Sequence, residues 1–458
     1  MSTTHTTTRT HTHSTSSHCR AQGLAGLSFR NMPMKPLLHA WAAALLCACA
    51  VQAQAQSHLP PEAAVREAVA RSPAVQAADA AQRGAAARAQ ALRAGPHETV
   101  VRASGQRRWV HDGSGQRFTE GQIAIERPLR LGGKAESDAQ LAEATQAASR
   151  VAAQDVRHEA ARQLLALWFA AQRAGQAQQT ARDNADAAAE LARVTERRLR
   201  AGDAARLDAE LAAAEHARMQ AALATAQAAY QAAQADLQAR FPGLEAARAK
   251  EGEAAPPLLD LPPLPDLPPL PQQSPAQLRL RYIEHSHEYL LAQAEETLAL
   301  RQARRADLER RPDPTVGVFA TSERGGSERI AGVSLSVPLG SVHRQAQADQ
   351  ALADADAALS RRLAAERRLG AEFDVLWSLL AGKRAAAQAQ ARAATLQQGA
   401  ADRALRAYRT GESGLTELLA VRRTLAEALL AERLARSEAL EGDSRLRLDL
   451  HELWDFDD

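Results

Sequence analysis

Hydrophobic and polar positions follow two different rhythms along this chain. Between Gly133 and Leu237, Ala, Leu, Arg, Gln and Glu run on almost without Gly or Pro, and these residues are among the strongest helix formers. The run is broken at Arg200-Ala201-Gly202-Asp203, where a glycine can end one helix and an acid can open the next. At ~1.5 Å per residue, the part before the break is on the order of 100 Å long, too long to fold back into a globule. The pattern predicts a long antiparallel helical hairpin. It recurs from Arg344 to Leu440, broken at Arg409-Thr410-Gly411-Glu412. There Leu369, Phe373, Leu376 and Leu380 are spaced as a narrow, coiled-coil-like seam.

Ahead of each hairpin the rhythm shortens to two. Glu98 to Val110 and Phe118 to Arg127 read as strands around a Gly-rich turn. In the second of them Thr119, Gly121, Ile123 and Ile125 share one side, and Phe118, Glu120, Gln122 and Glu126 the other. Pro314 to Thr321 and Arg329 to Val337 form a second pair, with Ala331, Val333, Leu335 and Val337 alternating with Gly332, Ser334 and Ser336. Helices are expected before each pair, over Pro60 to Arg93 (interrupted at Ser72-Pro73) and over Ala276 to Arg310. Pro128-Leu129 and Pro338-Leu339 close the two strand pairs alike.

The chain therefore reads as one unit given twice. Residues 1–55 are an N-terminal extension and signal peptide, 56–250 the first repeat, 251–275 a Pro/Leu linker read as an extended spacer, and 276–458 the second repeat with a C-terminal tail. The fold class is mainly α with a small β part. Lys35 and the apolar run Pro36 to Val51 have signal-peptide proportions, with Ala53-Gln54-Ala55 as the cleavage site. Leu46-Cys47-Ala48-Cys49 also resembles a lipobox, in which Cys49 would be acylated. Residues 1–31 carry no periodicity and read as disordered, or as an over-extended start upstream of Met32 or Met34.

Strands of this length that alternate apolar with polar positions are the signature of an outer-membrane barrel. Four strands cannot close one, so their edges must pair with other copies. Two copies would give an interior filled by side chains, whereas three would leave a lumen. The plainer alternative is a soluble helical rod with incidental turns; the signal peptide, the duplicated strand pairs and the matched Pro-Leu boundaries count against it.

Composition narrows the function. The 458 residues are 24% charged with a net charge of +2, which makes no case for nucleic acid as a partner. Aromatics are only 3%, which favours thin helix-on-helix packing over a wide globular core. No phosphate loop, zinc-protease helix or nucleophile elbow is present, so no enzyme, catalytic residue or cofactor is expected. His285 and His287 form a close histidine pair, but on one continuous helix they would point about 200° apart, so no metal site is expected.

The order helix, strand pair, long hairpin, given twice after a signal peptide, resembles the TolC-type outer-membrane efflux proteins. The resemblance covers about Pro60 to Leu450. Its particular matches are Pro312-Asp313-Pro314-Thr315-Val316-Gly317-Val318, Val333 to Leu339, and Tyr408-Arg409-Thr410-Gly411. The first of these looks most like the heavy-metal branch, the CzcC-like proteins. The resemblance implies a homotrimer in the outer membrane of a Gram-negative bacterium, with a twelve-stranded transmembrane β-barrel, four strands per chain, continuous with a trimeric α-barrel of twelve helices crossing the periplasm. It implies an exit duct of a tripartite efflux system, lodged in outer-membrane lipid and working with a periplasmic adaptor and an inner-membrane pump of the resistance-nodulation-division (RND) type. The adaptor would dock at the hairpin tips, Leu199, Arg200, Ala201, Gly202 and Asp203 with Tyr408, Arg409, Thr410, Gly411 and Glu412. Glu417 would line the pore entrance, with Asp208 its first-repeat counterpart. The family's further acid and its basic latch fall on Ala420 and Ser413, so neither is matched. A general drug or secretion channel, and a periplasmic coiled-coil adaptor, are the competing readings. An adaptor would carry one hairpin between β domains.

Overall fold

The computed structural model describes residues 58–242, 244, 264–454 and 456, apart from 112, 114 and 341. The expected signal peptide, cleavage site and Cys49 lipobox lie outside the described residues. Helices α1 (Glu62–Ala70) and α2 (Pro73–Ala94) precede strands β1 (Val100–Trp109) and β2 (Arg117–Pro128). The first hairpin follows as α3 (Lys134–Arg200) and α4 (Arg206–Arg240). The second repeat gives α5 (Pro275–His285), α6 (His287–Glu309), β3 (Thr315–Glu323) and β4 (Glu328–Ser336), then α7 (Val342–Thr410) and α8 (Leu415–Asp449).

Both hairpin tips end in the same motif. Gly202 and Gly411 adopt φ of 80° and 79°, a left-handed backbone that costs glycine nothing. Asp203 N–H then bonds Arg198 O at 2.8 Å and Glu412 N–H bonds Ala407 O at 2.8 Å. These bonds satisfy carbonyls that a helix end would otherwise leave unpaired.

One expectation fails. Ala276 to Arg310 is not one helix, because Ser286 leaves the helical region at φ −63°, ψ 125°. Ser72, which separates α1 from α2, has almost the same backbone at φ −60°, ψ 131°. In the first repeat Pro73 announces the break, since proline disfavours helix at the residue before it. In the second repeat His287 follows instead, and the break has no local signal.

The buried stripe of α7 is longer than its Leu/Phe segment. Phe373, Leu380, Ala387, Ala394, Ala401 and Tyr408 are all buried at intervals of seven. A strict seven-residue repeat imposes a left-handed supercoil. Ala348, Ala355 and Leu369 belong to a second phase, offset by four residues before Phe373. Most seam positions are alanine, so the helices approach closely and bury little area each. The broad apolar core lies where α1, α3, α4 and α8 meet, around Val65, Leu164, Phe169, Leu237 and Leu440. Leu278 and Tyr282 of α5 join the Leu369–Phe373–Leu380 seam and Leu446 beside it. The linker is more than a spacer where described: Leu264 and Leu267 pack on the first core, and the Leu264 and Pro268 carbonyls accept from Arg436 and Arg384.

The strands form one antiparallel sheet in the order β1-β2-β3-β4. Val101, Ile125, Val318 and Val333 lie in one row across it, all on the exposed face, with Val333 83% exposed. The opposite face carries Glu126, Gly317 and Ser334 in one row and Arg102, Ala124, Phe319 and Gly332 in the next. One face of the sheet is therefore largely apolar and exposed, while the other carries the carboxylate of Glu126 and the hydroxyl of Ser334. β1 and β4 each have a partner on one edge only. Among the described residues no helix is long and apolar enough to cross a membrane.

Asp313 anchors the sheet to the helices. It accepts from Leu131 N–H at 3.2 Å and from the buried Lys134 Nζ at 3.0 Å, with His97 Nε2 at 3.2 Å. Leu129 N–H bonds Pro314 O at 2.8 Å. The Pro312–Val318 stretch therefore has a structural task, joining strand ends of both repeats to the start of α3.

The register makes one substitution informative. A Cβ on Gly332 would stand 2.6 Å from Phe319 Cζ, so the ring lies on the glycine. Gly332→Val should displace it and destabilise the sheet by about 1–3 kcal/mol, whereas Ala331→Val on the outward face should be near neutral. Thermal midpoints of the detergent-solubilised proteins check this; equal midpoints would mean that the ring is elsewhere.

Candidate functional site

Besides the Asp313 anchor, polar chemistry concentrates at the hairpin tips and in a buried cluster near the C-terminal end of α8. At the tips Arg200, Ala201, Gly202, Asp203, Arg409, Thr410, Gly411 and Glu412 are exposed and Leu199 is half-buried. Tyr408 is different. It is buried among Leu191, Leu415 and Leu418, with the Arg198 guanidinium over its ring at 5.4 Å, a cation–π arrangement. Tyr408 therefore holds the two hairpins together and is not presented to a partner.

Glu417 is exposed and Asp208 half-buried. Each sits in the first turn of its returning helix, where the helix dipole favours an acid. Ala420 is exposed and Ser413 half-buried.

Just above the tips the hairpins enclose a cleft of about 450 Å³, lined by alanines and leucines of α3, α4, α7 and α8 together with Glu215, Arg218, Arg422 and Arg423. Glu215 of α4 is buried and accepts from Arg218 at 2.8 Å and from Arg423 of α8 at 2.7 Å. Burial pushes its carboxyl up, but the two guanidinium groups outweigh this and leave it below the usual range. Arg422 donates to Ala187 O of α3 at 3.3 Å, so neighbouring arginines of α8 hold both helices of the first hairpin.

The second region centres on Asp449, which is 3% exposed. Arg162 Nε donates to its Oδ1 at 2.7 Å and Arg445 Nε to its Oδ2 at 2.7 Å. His158 Nε2 lies 3.2 Å from Oδ1, and Tyr282 Oη donates to Oδ2 at 3.4 Å. Arg162 reaches on to Glu288 at 3.2 Å, and Glu288 also pairs with Arg368. Helices α3, α5, α6, α7 and α8 are thus tied at one level. Desolvation alone would raise the Asp449 carboxyl, yet the His158 hydrogen bond and the Arg162 and Arg445 charges hold it well below the usual carboxylate range. Burial lowers His158 despite the same hydrogen bond. His287 and His451 pack beside it, with ring centres 5.3 Å from His158 in each case.

Of these buried partners only His287 is marked in the sequence, through its spacing from His285. His158, Arg162 and Asp449 carry no spacing motif, and the first two lie far from the third in the chain. The break at Ser286 removes the premise on which His285 and His287 were taken together, since the two lie on different helices. One cue was available: a second-repeat helix that opens on His-Glu at the place where the first repeat breaks before Pro73.

Comparison with known proteins agrees with this geometry. Residues 64–240 match the family model described as outer membrane efflux protein. No curated protein matches the sequence significantly. Among solved structures, the fold is similar to that of the outer membrane protein VceC from Vibrio cholerae (18% identity, 86% of this chain and 96% of that chain covered, TM-score 0.67). It is also similar to the outer-membrane channel OprN (20% identity, 87% and 92% covered, TM-score 0.68) and to CusC (16% identity, 85% and 91% covered, TM-score 0.68). The family match thus falls on the first repeat, and the fold shared with the solved structures runs over both. Proteins of this family are transporters and not enzymes.

The Asp449 cluster gives a pH-dependent expectation. A carboxyl held low in the folded state contributes stability that is complete above its ordinary value of about 3.9 and is lost as the pH falls from there toward the folded value. Asp449→Asn removes the carboxylate between Arg162 and Arg445, leaving Arg162 to Glu288 and Glu159, and should cost about 1.5–3 kcal/mol at neutral pH. The gap in thermal midpoint between wild type and variant should narrow below about pH 4. A gap independent of pH would mean that the carboxylate charge is not what stabilises the cluster.

Proposed function

We propose that this chain is the outer-membrane exit duct of a tripartite efflux system. The carrying observation is the four-stranded sheet, apolar outward and open at both edges, set on two long helical hairpins. Three copies would close a barrel of twelve strands over a tunnel of twelve helices. The strands have 10, 12, 9 and 9 residues, against about 9–11 needed to cross a bilayer at a tilt. The exposed tip residues, Tyr408 apart, are the docking surface for a periplasmic adaptor, and an RND-type inner-membrane pump supplies the energy. A periplasmic adaptor is a poorer reading, because two hairpins and an outward-apolar sheet leave the chain without the flanking β domains that such a protein carries.

The cargo we assign is a transition-metal cation. That assignment rests on the resemblance of the Pro312–Val318 stretch to the heavy-metal branch. Deletion of the gene should lower tolerance to cobalt, zinc, cadmium, copper or silver. If tolerance to dyes or antibiotics falls instead, the cargo is wrong and the duct stands. If neither changes, the duct reading fails.

In a trimer Glu417 would be repeated three times around the entrance. Carboxylates crowded in a narrow pore attract cations. Micromolar trivalent cobalt hexammine on the periplasmic side should therefore block single-channel current, and Glu417→Ala should abolish the block. Equal block in both proteins would remove Glu417 from the ring and make Asp208 the residue to substitute next.

A further inference from the structure

We propose that His158, His287 and His451 form a resident site for one divalent first-row transition ion, which clasps the C-terminal end of the chain to the long helix of the first repeat. The three residues come from α3, from the first position of α6, and from the turn after α8. One potential ligand atom from each lies within 4.8 Å of the other two. The ring centres are separated by 5.3, 5.3 and 4.8 Å. Three imidazoles bound at about 2.0–2.1 Å to a tetrahedral ion would have centres about 5 Å apart, so small side-chain rotations suffice.

The chemistry of the set selects the ion. Three imidazoles without a carboxylate among the ligands suit zinc, copper, nickel or cobalt, and not magnesium or calcium. Asp449 supplies the outer support that such sites use. It engages His158 Nε2 at 3.2 Å, which fixes the ring and leaves Nδ1 to carry the ligating lone pair. Arg162 and Arg445 hold that carboxylate in turn.

Two backbone features are otherwise unexplained. His451 adopts φ of 59° at the position after α8 where the tips use Gly202 and Gly411. The bonding is the same: His451 N–H to Leu448 O at 3.1 Å and Glu452 N–H to Arg447 O at 2.8 Å. Glycine would fill this position without the steric penalty of a left-handed side-chain-bearing residue, but it would bring no imidazole to the cluster. The break at Ser286, which lacks the proline of the first repeat, starts α6 at His287 and so delivers the second ring. His158 and His287 are buried and His451 half-buried, which suits an ion that stays with the protein. The site is independent of which cargo the duct carries.

The test uses the full chain in detergent, without an affinity tag, stripped by chelator and then given zinc or cobalt(II). His5, His11, His13 and His18 near the N-terminus can bind metal loosely, so the readout is the difference between wild type and variants. Wild type should retain one more zinc per chain than His287→Ala after gel filtration. Its cobalt form should show the intense visible bands of a tetrahedral site, and zinc should raise the thermal midpoint of the wild type alone. Asp449→Asn should weaken zinc binding by about 10–100-fold. His451→Gly guards against a misfolded variant, since glycine suits that backbone: it should raise the midpoint of the metal-free protein and abolish the response to zinc. Equal zinc retention and equal zinc response in wild type and His451→Gly would overturn the site.

Discussion

A backbone N–H or C=O that faces hydrocarbon without a partner costs several kcal/mol, and a strand edge is a row of such groups. The rest of this structure follows from where those edges fall. β1 and β4 each bond on one side only, while Ile123, Ile125, Val318, Val333 and Leu335 stand exposed on the sheet's outer face. In water this sheet would be an aggregation hazard. In a membrane, with its edges closed by further copies, it becomes a wall. The polar inner face, with Glu126 and Ser334, is then the lining and not a failed core.

The helices obey a related constraint. A rod on the order of 100 Å long cannot bury its own surface, and the seven-residue seam of α7 is one side chain wide and mostly alanine. Such a seam satisfies one neighbour. Outward-facing Leu352, Val375, Leu379 and Leu396 remain exposed in the single chain, so the hairpins, like the sheet, have lateral faces that a ring of copies would cover. Stability is concentrated where several helices meet, in the Phe169 core and the Asp449 cluster. The tips depend on fewer contacts, among them Tyr408 under Arg198 and Glu215 between Arg218 and Arg423.

The parts of this architecture written in local patterns were legible in the sequence. The tip breaks at Gly202 and Gly411, the four strands, the alternating sets of β2 and β4, and the duplication itself all come from residues close together in the chain. What was not legible depends on residues far apart. Arg162 and Asp449 meet only because α3 and α8 pack side by side, and neither has a neighbour that marks it. The Ser286 break has no residue beside it that marks it, whereas Ser72 is followed by a proline. Tyr408 looked like a tip residue from its distance to Gly411, yet the seven-residue seam that ends on it turns it inward.

The most direct measurement is the number of chains in the particle extracted from membranes in mild detergent, by native mass spectrometry. Closure of the open sheet edges by copies of the same chain predicts a single species of three chains that persists on dilution. A stable, monodisperse single chain would contradict the account, because it would leave the edges of β1 and β4 unpaired.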